Sequence, residues 1–226
     1  MNNLSKLKNA HANEDIWCIA AGSSMDFIDN SFFKNKIVIG QNQVYKKYPC
    51  TYVVMKDLME KPRFERSIQE VKNLNIPLIY SKYHAGHYSS PKGLNQTDYK
   101  NSYIFDHVDN ASPIEYHLNT IGTDTMVAKK STITSVMNIA AYMGAKNIIV
   151  CGVDCGTINK NLYYKNYTEP DWTSAGNWGS ASGWIQGTYD YNLLIRDKIK
   201  EIYNCNIYSL NPFMNFKLDG NEFTTC

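Results

Sequence analysis

Four apolar runs in this chain each end in a short polar stretch, and those stretches set the chemistry it could perform. Gly22-Ser23-Ser24 follows "DIWCIAA", Gln41-Asn42-Gln43 follows "KIVIG", Lys56-Asp57 follows "TYVVM", and Gly152 to Asp154 follow "NIIVC". A Gly-Ser-Ser turn offers backbone N–H groups and hydroxyls to a phosphate or a sugar oxygen. Three successive amides offer donors and acceptors to ribose, base or sugar hydroxyls, and amides equally cap helices. Asp57 suits a hydroxyl contact or the cap of the helix that follows. Lys129-Lys130-Ser131-Thr132 sets two cations and two hydroxyls ahead of an apolar helical stretch, which fits an anionic leaving group as well as a solvated corner. No full nucleotide fingerprint is present: Gly22 lacks the second and third glycines of GxGxxG, and no GK[ST] marks a P-loop.

His84 and His87 in "KYHAGHY" are of the residue type that serves as general base or metal ligand. No third ligand or carboxylate stands beside them in sequence, so packed or surface histidines are the plainer reading. The chain has no Asp-x-Asp, the usual divalent-metal clamp of many nucleotide-sugar transferases. Its six cysteines include no CxxC, and Cys151 and Cys155 have no second pair to complete a zinc site. Cys18, Cys151 and Cys205 lie in or beside apolar runs, where cysteine acts as a small hydrophobe. Together with the absence of a signal-like apolar segment near the N-terminus and of any 18-residue apolar run, this predicts a reduced, cytoplasmic protein without a transmembrane segment.

These groups need a scaffold. The 226 residues suit one domain over 1–226, and a net charge of +2 gives no reason to expect a nucleic-acid partner. Short apolar runs alternate with helical stretches, the pattern of a mostly parallel α/β sheet flanked by helices. The strands are expected at "DIWCIAAG", "KIVIGQN", "CTYVVMKD", "IPLIYSKY", "NIIVCGVD" and "NIYSLNP". Helices are expected at 61–74, over "SVMNIAAYM" with Ser131 or Thr132 as cap and Gly144 at its end, and over "YDYNLLIRDKIKEIYNC", with Leu193, Leu194, Ile199 and Ile202 on its apolar side. Residues 84–127 are weakly patterned and read as an irregular, lid-like insertion, and about 166–188 as a mobile loop.

The ordered set of loops resembles glycosyltransferase family 42, the sialyltransferases, and the wider motility-associated-factor-like and hydroxymethylpterin pyrophosphokinase-like domains. Ala20-Ala21-Gly22-Ser23-Ser24 stands where that family has a Gly-Asn-Gly-Pro-Ser-like loop, and Asn42-Gln43-Val44-Tyr45 where it has Asn-Gln and an aromatic. Lys129-Lys130-Ser131-Thr132 stands at its Arg-x-Thr-Ser-type helix start, "GAKNIIVCGVD" at its strand ending in Gly-Ile-Asp, and Tyr163-Tyr164 in its Tyr-bearing loop. The likeness touches about two-thirds of the chain. It implies a Rossmann-like fold, a CMP-activated nonulosonic acid as donor substrate with no further cofactor, and metal-independent transfer with inversion to an acceptor hydroxyl. On that resemblance Gly22, Ser23 and Asn42 hold the nucleotide and Ser131, Thr132 and Gly152 complete its site; Ser24, Asp57, Lys129 and Asp154 are further candidates for binding substrate or nucleotide. Gln43 faces the sugar, and Tyr163 or Tyr164 neutralises the departing phosphate. The family's histidine base falls in "GWIQGTYDYN", which has no histidine; the candidates for that role are Asp190, His84 and His87.

The expected function is therefore a glycosyltransferase-like enzyme that takes a nucleotide-sugar donor and a glycan or protein acceptor. Peripheral membrane association and homo-oligomerisation stay open. Two rivals remain at this level: a pterin pyrophosphokinase-like phosphoryl transferase, which needs Asp57 and Asp154 to converge on Mg²⁺, and a non-catalytic nucleotide-binding module.

Overall fold

A computed structural model describes residues 2–58, 62–90, 94–155, 161, 163–167 and 182–210. In chain order its strands are β1 (Asn2–Asn3), β2 (Asp15–Ile19), β3 (Ile37–Gln41), β4 (Tyr52–Met55), β5 (Leu78–Ser81), β6 (Ser102–His107), β7 (Thr125–Met126), β8 (Asn147–Cys151) and β9 (Asn206–Ser209). Its helices are α1 (Pro62–Asn73), α2 (Ile114–Leu118), α3 (Thr132–Tyr142) and α4 (Ser182–Tyr203). The strands form one sheet in the order β1-β6-β5-β4-β3-β2-β8-β9, with β7 added on β6. Every pairing is parallel, with Ile19 opposite Gly40 on one side and Cys151 on the other. This is the mostly parallel α/β architecture that the alternating apolar runs predict, and it is Rossmann-like, as the family resemblance implies.

Sheet order fixes where a ligand can enter. From β2 the chain adds β3, β4, β5 and β6 in one direction, then places β8 and β9 on the other side of β2. The order reverses between β2 and β8, and in open α/β sheets ligands bind outside the carboxyl ends of strands at such a switch point. Strands covered on both faces read as continuous apolar runs, which is why β4 and β8 are the clearest in the sequence; after their first residues both are fully buried.

α3 is buried along its whole length, unlike a one-sided surface helix. Ser131 caps it by accepting the Ile133 N–H, and Gly144 ends it at φ +90°, a left-handed conformation that suits glycine. The N-terminal segment satisfies the carbonyls a helix end leaves unpaired: Asn9, His11 and Asn13 donate their N–H groups to the carbonyls of Tyr142, Met143 and Gly144. Leu4 and Leu7 are buried beside them.

Three expectations are corrected. Residues 84–127 are not an irregular insertion throughout, since they supply the interior strand β6 together with α2 and β7. Their pattern hides this because buried positions are polar: Ser102 is enclosed and donates to the Tyr99 carbonyl at 2.6 Å, and His107 is enclosed as well. The stretch 166–188 lies largely outside the described residues, but from Ser182 onward it is the start of α4. On α4 the enclosed stripe is Thr188, Asn192, Ile195 and Ile199, whereas Leu194 and Ile202 are 46% and 44% exposed. Among the described residues no helix is long and apolar enough to cross a membrane.

Candidate functional site

The exit of β2 is bound to the exit of β8. The Ala20 N–H donates to the Cys151 carbonyl and the Gly22 N–H to that of Gly152, both at 2.8 Å, so the pairing continues past the strands. No side chain fits there: a Cβ on Gly22 would lie 2.5 Å from the Asp154 carboxyl carbon and from the Gly152 oxygen. Gly152, at φ +68°, would place one 2.5 Å from the Ala20 oxygen. Asp154 then locks the turn, its carboxylate accepting the Ser24 N–H at 2.7 Å, the Ser24 hydroxyl at 2.5 Å and the Ser23 hydroxyl at 3.4 Å. Ser23 also donates to the Asn161 carbonyl at 2.8 Å. Burial raises the Asp154 carboxyl above its ordinary range, and the serine donors offset part of that rise.

The tyrosine-bearing segment crosses this turn. Tyr163 pairs antiparallel with Gly22, and the Tyr164 N–H donates to the Ala21 carbonyl. Tyr164 is enclosed edge-on against Tyr48, with the Lys47 ammonium 4.7 Å from its ring centre. Its phenol is held strongly toward the protonated, donor form by burial. Tyr163 is half-buried and packs on Tyr167, whose hydroxyl reaches the Gln43 amide oxygen at 3.4 Å.

At the exit of β3, Asn42 adopts φ +50°, a left-handed conformation that asparagine tolerates better than most residues. Its side-chain oxygen and that of Gln41 are buried without a hydrogen-bond partner among the described residues. Gln43 spans to α1, donating to the Ser67 hydroxyl at 3.3 Å. Because α3 runs back against the parallel strands, its start brings Ser131 and Thr132 to the same rim as these turns. Gly22, Ser23, Ser24, Asn42, Gln43, Gly152 and Asp154 follow the carboxyl ends of β2, β3 and β8, and Ser131 and Thr132 open the helix that runs back from that side.

Other candidates sit elsewhere on that rim or off it. Lys129 is turned inward: its ammonium donates to the carbonyls of Asn110 at 2.9 Å and Ser112 at 2.6 Å and lies 5.4 Å from the Tyr191 ring centre. Burial, then the Lys130 charge, lowers its pKa. Asp57 is half-buried next to Lys56. His84 is buried just after β5. His87 stands 3.5 Å from the Asp109 carboxylate, the acidic neighbour that sequence proximity did not supply. Asp190 is exposed on α4, about 200° around the helix from the enclosed Thr188.

Two groups, His107 and His117, escaped the sequence reading, and so did the burial of Lys56. His107 and His117 are buried too, each bonded through one ring nitrogen to a carbonyl, of Val108 and Asp109 respectively. Their other ring nitrogens have no hydrogen-bond partner among the described residues. Burial lowers the pKa of both, that of His117 to about 4. On α4, Asn192 is fully enclosed near the Cys155 thiol, with neither end of its amide well hydrogen-bonded. Only its spacing from Thr188, Ile195 and Ile199 along one helix face signals its position. Among the described residues no cluster of three His, Cys, Asp or Glu is placed to hold a metal ion.

No protein-family model matches the chain, and no curated protein matches it either. Solved structures do resemble it. The monofunctional alpha-2,3-sialyltransferase Cst-I from Campylobacter jejuni superposes with a TM-score of 0.57 at 16% identity, over 94% of this chain and 83% of that one. The sialyltransferase CstII from Campylobacter jejuni with the substrate analogue CMP-3FNeuAc gives 0.55 at 14% identity, over 95% and 88%. The sialyltransferase CST-II with trisaccharide acceptor and CMP gives 0.54 at 13% identity, over 94% and 88%. At these identities the likeness establishes the fold.

Proposed function

We propose that this chain is a sialyltransferase-like glycosyltransferase that binds a CMP-activated acidic sugar at the rim of β3, β2 and β8 and passes the sugar, with inversion and without a metal, to an acceptor hydroxyl. The observation that carries the reading is the pairing of the Gly22 and Gly152 turns at the switch point, with the Asn42 turn on the adjacent strand β3, where the buried Gln41 and Asn42 oxygens have no donor among the described residues. The resemblance to structures solved with CMP, a CMP-sugar analogue and an acceptor supports it. In the transfer the acceptor oxygen forms a bond to the anomeric carbon, the carbon–oxygen bond to phosphate breaks, and CMP leaves with the electron pair. The hydroxyl proton passes to a base.

Tyr163 is the better placed of the two tyrosines to donate to the phosphate, because Tyr164 is enclosed among aromatic rings. Among the three candidate bases, His84 stands on the rim, His87 is engaged with Asp109, and Asp190 faces solvent. A pyrophosphokinase-like route is disfavoured: Asp57 and Asp154 leave strands three positions apart in the sheet, about 14 Å at the usual strand spacing.

Thermal-shift titration with CMP, UDP, GDP and ATP, each with and without Mg²⁺, tests the reading. CMP alone should stabilise the protein, and Asn42→Ala should abolish both that shift and hydrolysis of a CMP-sugar donor. Stabilisation by ATP with Mg²⁺ alone, or by no cytidine nucleotide at millimolar concentration, overturns it.

A further inference from the structure

Lys56 leaves the end of β4 pointing into the protein. It is 3% exposed, and among the described residues its ammonium has one hydrogen-bond acceptor, the Lys130 carbonyl at 3.2 Å. An ammonium carries three donors, and leaving two unfilled in a buried place is costly. The titratable surroundings add to that cost. Lys129 and Lys130 lie on the loop into α3, and His84 lies beside Ala85, whose N–H donates to the Lys56 carbonyl at 3.1 Å. His107 and His117 are near enough for the Lys56 charge to contribute, after burial, to lowering the pKa of both, so they are neutral near pH 7 and the nearby cations are Lys129 and Lys130. The neighbouring carboxylate that favours the Lys56 ammonium is Asp57.

We propose that the Lys56 ammonium is a binding contact for an anionic group of the ligand, a phosphate or a carboxylate, held between the exit of β4 and the loop into α3. Such a group supplies the acceptors the ammonium lacks and offsets the surplus of positive charge in a place screened from water. The inference deepens the reading above and rests on it for the identity of the anion. Burial brings Lys56 down to about 8, so near that pH part of the protein holds a neutral amine, and an arriving anion draws in a proton. Affinity for the anion should therefore fall as pH rises above about 8, in the wild type and not in a variant without the amine.

Calorimetric titration of wild type, Lys56→Met and Lys56→Arg with cytidine, CMP and a CMP-linked acidic sugar tests this. Cytidine should bind wild type and Lys56→Met alike. At least one anionic ligand should bind Lys56→Met tenfold or more weakly, with Lys56→Arg recovering part of the loss. A loss already present with CMP assigns the phosphate; a loss confined to the sugar-linked ligand assigns the carboxylate. Titration at pH 8 in two buffers of different ionisation enthalpy should show proton uptake by wild type, a measurement that needs no variant. Equal affinities in wild type and Lys56→Met, or no proton uptake, overturn the proposal. If the wild type binds no cytidine compound, the function proposed above falls, and Lys56 is judged with inorganic pyrophosphate alone. Greater thermal protection of wild type than of Lys56→Met then supports the contact, and equal protection removes it.

Discussion

The two ends of the rim are built on opposite terms. At the switch point, the turns after β2 and β8 satisfy one another: backbone pairs continue past the strands, and Asp154 accepts from both serines. At the exit of β4, the end of β6 and on α2, the buried groups are basic and under-bonded: among the described residues Lys56 has one acceptor, and His107 and His117 each keep a ring nitrogen without a partner. The first region holds its shape without a ligand. The second keeps polar atoms in want of partners, as expected where stability is given up for binding. The difference separates a pair of mutually satisfied turns from a group of buried basic side chains with few partners.

The comparison can be broken most severely at Gly152. Gly152→Val forces a side chain into the left-handed region and against the Ala20 carbonyl. It should cost about 4 kcal/mol or more, read by urea unfolding, and abolish nucleotide binding. Asp154→Ala removes the acceptor of three donors and should cost roughly 3 kcal/mol.

Asp154 also has a pH signature. Its native pKa is raised, so its favourable contribution is full below the unfolded carboxyl value and is lost as pH rises through the native one. The stability of wild type relative to Asp154→Asn should therefore decline with increasing pH over that interval, as paired urea melts will show.

Lys56 has the reverse sign. Its native value of about 8 lies below the ordinary 10.5, so wild-type stability should climb between those two values. Lys56→Met should accordingly be more stable by up to about 3 kcal/mol at pH 7, the gain fading toward pH 10.5; a variant that is stabilised yet binds the anion worse would mark the trade-off. The smallest effect is expected at Asn192, where Asn192→Leu removes a poorly bonded amide from the core and should add about 1 kcal/mol in the same assay.

Much of the fold is legible before any coordinates. β2, β4 and β8 announce themselves because buried parallel strands must be apolar along their length, and α3 because a serine cap and a terminal glycine bracket an apolar run. What misled the reading was polarity inside. Ser102 and His107 disguise β6. Thr188 and Asn192 occupy the enclosed stripe of α4, so the conspicuous Leu194 and Ile202 suggest the wrong face. The turns after β2, β3 and β8 stand out in the sequence because glycine, serine and amides follow apolar strands. Lys56, following one of the same strands, looks like any solvated lysine.

By itself the sequence determined the buried strands that are apolar along their length and the turns that end them, because hydrophobic pattern and turn chemistry are local and act on neighbouring residues. Only the tertiary structure decided that β8 lies beside β2, that the β2 and β8 turns bind each other, and that Lys56, His107 and His117 share an interior. Desolvation and charge interaction depend on distance through space, and residues 56, 107 and 117 meet only when the sheet brings β4 and β6 within two strand spacings.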